Sequence, residues 1–139
     1  MHNAARVLVV DDNEDVAVML GDAIDMIGYR SYVALDATSA LQLAESFAPD
    51  VALLDLGLPD LDGCELGRRL QARHGKQLFL VAVTAWSDAA HRRAAHAAGF
   101  HAYLVKPVKI ADVQAVVRAL LASARVPERD AAPAVASSL

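Results

Sequence analysis

Five polar side chains in this 139-residue chain stand where short apolar runs stop. Val7-Leu8-Val9-Val10 ends at Asp11-Asp12, and Val51-Ala52-Leu53-Leu54 ends at Asp55. A run from Leu78 to Val83 ends at Thr84, and another from His101 to Val105 ends at Lys106. Three carboxylates gathered in one crevice repel one another strongly unless a cation joins them. Hard oxygen ligands without soft neighbours select Mg²⁺, which binds through a few carboxylates and keeps several waters. A carboxylate beside such an ion, with a lysine and a hydroxyl close by, suits phosphoryl transfer. An aspartate can act as the nucleophile and hold an acyl phosphate. The metal and the lysine neutralise the transferring oxygens, and a threonine hydroxyl can donate to one of them. No P-loop or glycine-rich nucleotide fingerprint occurs, so the phosphoryl donor is expected to arrive on another molecule.

These residues meet only if the runs that end at them are strands of one sheet. Short β-branched runs read as buried parallel strands. Ser31 to Leu35 supplies a further short strand. Between the strands lie helical patterns. Glu14 to Ile27 has Val16, Met19, Leu20, Ala23, Ile24 and Ile27 at amphipathic spacing, with Gly28 as the stop. Ala37 to Phe47 turns Ala40, Leu43, Ala44 and Phe47 to one side, and Pro49 follows its end. Cys64 to Arg73 places Leu66, Gly67 and Leu70 inward, against the helix-weakening effect of Gly67. Ser87 offers a cap for an alanine-rich helix reaching Ala98, which Gly99 closes. Ile110 to Leu121 is the last helix, with Ile110, Val113, Val117, Leu120 and Leu121 on its buried side.

Five strands alternating with five helices predict an α/β fold, a doubly wound five-stranded parallel sheet with right-handed crossovers. The expected arrangement is (βα)5, flavodoxin-like, with strand order 2-1-3-4-5. There the first and third strands are neighbours, and ligands sit outside the carboxyl ends of the strands. Asp11, Asp12 and Asp55 then share a pocket that Thr84 and Lys106 close from the other side. Residues 1–124 form the expected domain. Residues 125–139, without periodicity, read as a flexible tail or truncated linker.

Composition narrows the class. At 55% hydrophobic and 22% charged the chain is globular, and with only 5% aromatic residues its interior must be aliphatic. A formal charge of −4 argues against direct nucleic-acid binding. A single cysteine, Cys64, fits a reducing, cytoplasmic setting. There is no signal peptide pattern, and no apolar run approaches the ~20 residues that span a bilayer.

Four stretches together resemble the response-regulator receiver domain of two-component signalling over about residues 6–122. They are Val9-Val10-Asp11-Asp12-Asn13, the run from Leu54-Asp55 through Gly57-Leu58-Pro59-Asp60-Leu61-Asp62-Gly63, Val83-Thr84-Ala85, and Tyr103-Leu104-Val105-Lys106-Pro107. They lie in that family's order and spacing. The resemblance implies that Asp55 is the phosphoacceptor, and that Asp11 and Asp12 hold Mg²⁺ with the Gly57 carbonyl as a further ligand. It also implies that Thr84 and Lys106 contact the phosphoryl group, and that Tyr103 is a switch aromatic moving with Thr84. The Lys106-Pro107 bond is cis in such proteins, within the ordinary allowance for proline. The implied partners are a sensor histidine kinase or histidine phosphotransfer protein upstream, and a protein docking on about residues 88–121 downstream. Such a domain is a signalling phosphoacceptor that promotes only its own phosphorylation and dephosphorylation. The loop at Gly57–Gly63 and the Gly99-Phe100 pair resemble receivers attached to hybrid sensor kinases. With no output module following, the chain reads as a stand-alone regulator or an excised domain.

Each residue alone has an ordinary reading. Asp11-Asp12 suits a helix N-terminus, Asp55 a turn, Thr84 a cap, Lys106 a solvated charge and Tyr103 packing. Their joint placement at strand ends outweighs these. His91, Arg92, Arg93 and His96 read as a wet helix face, and Arg68, Arg69, Arg73, His74 and Lys76 as a solvated helix end. Cys64 reads as packing. Asp60-Leu61-Asp62-Gly63 lacks the remaining ligands of a calcium loop. Two other functions share the acid set. A Mg²⁺-dependent phosphatase with an Asp55 nucleophile would need a second acid/base and a capping insertion, and neither is evident. A pseudo-receiver used only for binding would not need the full set.

Overall fold

Strand alternation divides the interior into two layers. In the computed structural model, which describes residues 4–130, five parallel strands lie in the order β2-β1-β3-β4-β5. They are β1 (Arg6–Val10), β2 (Arg30–Ala34), β3 (Val51–Leu54), β4 (Phe79–Thr84) and β5 (Ala102–Val105). The helices are α1 (Glu14–Asp25), α2 (Ala37–Phe47), α3 (Gly63–His74), α4 (Ala89–Ala97) and α5 (Ile110–Asp130). Successive strand residues point to opposite faces. Leu8, Val10, Ala52, Leu54, Leu80 and Ala82 therefore pack with Ala40 and Ala44 of α2, Leu66 and Leu70 of α3 and Ala95 of α4. Val7, Val9, Val51, Leu53, Val81 and Val83 pack with Leu20 and Ile24 of α1 and Val113 and Val117 of α5. The predicted topology and strand order are both present.

Small residues let the helices sit close to the sheet. A Cβ on Gly67 would lie 2.8 Å from Phe100 Cε1 and 3.0 Å from Leu80 Cδ1, so this mid-helix glycine is required by packing. Its helix penalty of about 1 kcal/mol is offset by the contact it permits.

Three local expectations are corrected. Asp88, not Ser87, caps α4, its carboxylate accepting the His91 N–H at 3.2 Å. Aspartate caps as well as serine does, and here it also meets the His91 ring. Ile110 is 39% exposed, because the inward face of α5 begins at Val113. The α5 backbone continues as helix to Asp130, past the expected start of a tail at residue 125. The rest of that tail, residues 131–139, lies outside the described residues.

Candidate functional site

Register brings the strand ends together. Val10 of β1 pairs with Leu54 of β3, so Asp11 and Asp55 leave the sheet side by side. The Asp55 N–H donates to the Val10 carbonyl at 3.0 Å, holding the two turns in step. On the other side Thr84 pairs with Val105, and the Lys106 N–H donates to the Thr84 carbonyl at 2.8 Å. Oxygens of Asp11, Asp12 and Asp55 lie within 4.8 Å of one another. All five predicted side chains thus converge on one end of the sheet.

The helix-cap alternative for Asp11-Asp12 fails. Asn13 is the N-cap of α1, its Oδ1 accepting from the Val16 N–H at 3.2 Å. Asp11 uses Oδ1 to accept from the Asn13 N–H at 2.9 Å, which leaves Oδ2 aimed into the cluster. Asp11 is only 1% exposed. Its Oδ2 lies 2.6 Å from Lys106 Nζ, an ion pair by distance whose angle misses hydrogen-bond alignment. Lys106 also donates to Asp55 Oδ2 at 3.3 Å. Burial alone would push the Lys106 ammonium down, but the Asp11 carboxylate and the Asp55 charge outweigh it and hold the pKa above the usual lysine value.

One lysine among three acids leaves the cluster net negative. A buried carboxylate oxygen without a hydrogen-bond partner, facing two more carboxylates, fits a small divalent cation. The oxygen-only donor set fits Mg²⁺ in particular.

Thr84 is buried, and its Oγ1 accepts from the Trp86 N–H at 3.3 Å, so its hydroxyl hydrogen remains to be donated. Asp55 Oδ1 accepts from the Gly57 N–H at 3.1 Å, which folds the start of the loop back over the acid. Tyr103 is half-buried, its ring under the Arg92 guanidinium at 4.7 Å and its hydroxyl donating to the Trp86 carbonyl at 2.6 Å. The Lys106-Pro107 bond is cis. Gly57 borders a groove of about 380 Å³ that Trp86 and His91 also line.

Several contributors were not legible in advance. His91 stacks on Trp86 with ring centroids 4.1 Å apart, while its Nδ1 lies 2.6 Å from Asp88 Oδ1. Asp60 reaches back to accept from the Ala37 and Thr38 N–H groups, both at 3.0 Å, and so pins the loop to the start of α2. Asp62 caps α3 through the Cys64 N–H at 2.8 Å. The only available signal was the acid-and-glycine composition of the loop. Cys64 is buried in the core, and burial, followed by the Asp62 charge, pushes its thiol pKa up.

Comparison with known proteins agrees with this geometry. The family model described as "Response regulator receiver domain" matches residues 7–118. "Response regulator MprA" of Mycobacterium ulcerans (strain Agy99) is 35% identical over 133 residues, covering 96% of this chain and 57% of the relative. The protein of the same name from Mycolicibacterium vanbaalenii is 38% identical over 116 residues, covering 84% and 50%. The chain spans about half the length of these curated relatives. Among solved structures, a CheY-like response regulator receiver domain protein from Methanospirillum hungatei JF-1 superposes with TM-score 0.83 at 25% identity, covering 88% of this chain and 98% of that one. The Francisella response regulator 1452 receiver domain gives TM-score 0.79 at 26% identity, covering 86% and 98%.

The sheet order and the acid cluster define a doubly wound receiver fold. The chain belongs to the response regulator receiver domain family of two-component signalling. No helix among the described residues is long and apolar enough to cross a membrane.

Proposed function

We propose that this chain is a phosphorylation-activated receiver, accepting a phosphoryl group on Asp55 from a phosphohistidine of a sensor kinase or histidine phosphotransfer protein. The observation that carries the reading is Lys106 Nζ, held 2.6 Å from Asp11 Oδ2 and 3.3 Å from Asp55 Oδ2 in a cluster that stays net negative. Asp11, Asp12, Asp55 and the Gly57 carbonyl would hold Mg²⁺, which when bound neutralises charge on the transferring oxygens.

The residues divide the work. Asp55, 8% exposed, presents a carboxylate oxygen to the incoming phosphorus. A new O–P bond forms as the donor's N–P bond breaks, and the electron pair leaves on the imidazole nitrogen. Lys106 sits where it can pair with a phosphoryl oxygen, exchanging part of its contact with Asp55 for one with the phosphate. Thr84 has a hydroxyl hydrogen to offer a second oxygen. A Thr84 drawn toward the phosphate would disturb its contact with the Trp86 N–H. Because Tyr103 donates to the Trp86 carbonyl, the change would pass to the face at about residues 88–121. Phosphorylation moves that face only as far as it favours one of its two states.

The test is intact-mass analysis after incubation with Mg²⁺ and acetyl phosphate. One phosphoryl adduct is expected, and it should be lost in Asp55→Asn and in EDTA. Sustained turnover of a small phosphate ester would instead mark a phosphatase, and an adduct that survives Asp55→Asn would move the acceptor elsewhere.

A further inference from the structure

At the start of β5 a ring nitrogen stands where a sheet normally uses a carbonyl. From Val81 and Ala102 onward β4 and β5 pair in regular parallel register. One step earlier the Leu80 carbonyl still accepts from the His101 N–H at 2.8 Å. The Leu80 N–H also needs an acceptor, because Leu80 is wholly buried and water cannot supply one. A parallel ladder would offer it a backbone carbonyl from just before His101. That segment is still closing α4, with Gly99 at φ 97°. The Gly99 N–H donates to the His96 carbonyl and the Phe100 N–H to the Ala95 carbonyl, both at 3.0 Å. The imidazole fills the gap, its Nδ1 accepting the Leu80 N–H at 3.0 Å.

Accepting at Nδ1 requires a neutral ring with its proton on Nε2. The surroundings favour that form. From β4 the uncharged Phe79 ring meets the imidazole edge-on, with centroids 5.0 Å apart. Arg92 and His96 of α4 and Tyr103 of β5 share a groove with it. Among the described residues only His74 and His91 have a carboxylate at ion-pair distance, so none holds a proton on His101. Burial, against a smaller opposing effect of the Leu80 backbone, pushes the His101 pKa below the usual histidine value. The residue is nonetheless exposed enough for a proton to reach it from solvent.

We propose that His101 is a pH-sensitive latch, whose neutral ring fastens the start of the edge strand β5 to β4 and whose protonation releases it. A proton taken up at Nδ1 sets two donors, Nδ1–H and the Leu80 N–H, head to head. A buried backbone donor is then left without a partner, and the new positive charge joins Arg92 and His96 in one groove. The sign follows from linkage. A base held neutral by folding contributes stability that is complete above the unfolded value, about 6.5, and is lost as pH falls through the folded one. The bearing of the latch on signalling rests on the receiver reading, through the strand that carries Tyr103 and leads to Lys106. The latch itself needs neither Mg²⁺ nor a phosphoryl group.

The test is amide hydrogen exchange of the full, unphosphorylated chain, read by ¹H–¹⁵N NMR at about pH 7.5 and about pH 5 and corrected for the intrinsic pH dependence of exchange. Protection of the Leu80 N–H, relative to that of Leu53 on the central strand, is expected to fall about tenfold or more at the acid end. His101→Asn puts a carbonyl oxygen that does not titrate where Nδ1 stands, and should keep Leu80 protected at both pH values. His101→Phe, which has no acceptor, should leave Leu80 poorly protected at both. Unchanged protection in the wild type, the same acid loss in His101→Asn, or full protection in His101→Phe would each overturn the proposal. The wild-type and asparagine arms decide it even where the phenylalanine variant does not fold. Because no phosphoryl group is present, failure here leaves the Asp55 chemistry standing, and failure of Asp55 to phosphorylate leaves the latch standing.

Discussion

A methyl group on Gly63 would occupy the space already held by the Asp55 backbone carbonyl. The first turn of α3 is packed directly on the backbone of Asp55 and Leu56, with the Gly63 N–H donating to the Leu56 carbonyl at 3.0 Å. Alanine gains up to about 1 kcal/mol of helix propensity over glycine, whereas overpacking costs roughly 1–3 kcal/mol and more where the clash is with backbone. Gly63→Ala should therefore lower stability by about 1–3 kcal/mol net. Gly67→Ala should cost less, because it meets the far ends of the Phe100 and Leu80 side chains. Urea midpoints of the two variants will rank them, and the reverse order would refute the backbone clash.

Among the described residues Lys106 is the only basic side chain at ion-pair distance from the three acids of the cluster. Its replacement by methionine leaves Asp11 Oδ2 buried and uncompensated. Lys106→Met is expected to lose about 1–3 kcal/mol of stability in EDTA, less than a fully buried pair would because the ammonium retains some solvent. Mg²⁺ should restore part of that loss by supplying the missing positive charge. Thermal unfolding with and without Mg²⁺ measures both, and a loss indifferent to Mg²⁺ would mean that the acids do not form one cation site.

Asp60 ties the loop to α2 in a pH-dependent way. Hydrogen bonds from the Ala37 N–H, then from the Thr38 N–H and hydroxyl, hold its carboxyl below the usual aspartate range. A depressed folded-state pKa means stability that is present above the unfolded value, about 3.9, and lost as pH falls through the folded value. The stability gap between wild type and Asp60→Ala should accordingly be largest near pH 7 and shrink below about pH 4. Urea unfolding at pH 7 and pH 3 checks this, and a gap independent of pH would remove the charge from the explanation.

Trp86, the single tryptophan, lies 3.3 Å from the Cβ position of Gly57 and is 41% exposed. Ion binding at the acid cluster with help from the Gly57 carbonyl should alter its emission. A saturable fluorescence change on Mg²⁺ titration is expected in wild type and lost in Asp11→Asn. The same change in that variant would place the ion elsewhere.

The sequence by itself determined the parallel sheet, its helices and the five polar residues at the strand ends. The reason is local: period-two and period-3.6 patterns report burial, and a strand that stops at a carboxylate says where that carboxylate must stand. Small misplacements, such as Ser87 for Asp88 as the α4 cap, arose because adjacent residues of equal capping ability differ only in the backbone they meet. Tertiary structure alone decided what depends on distant segments. Asp60 accepts from the first N–H groups of a helix that begins 23 residues earlier, Gly67 is held close by the Phe100 ring, and Tyr103 turns to the Trp86 carbonyl under Arg92. It also decided which cations are neutralised. Glu65 stands three and four residues before Arg68 and Arg69, a pairing that helix spacing already allows. Arg73, by contrast, meets Glu45, 28 residues away, only because α2 and α3 pack together, and Arg92, four residues after Asp88, lies over the Tyr103 ring instead.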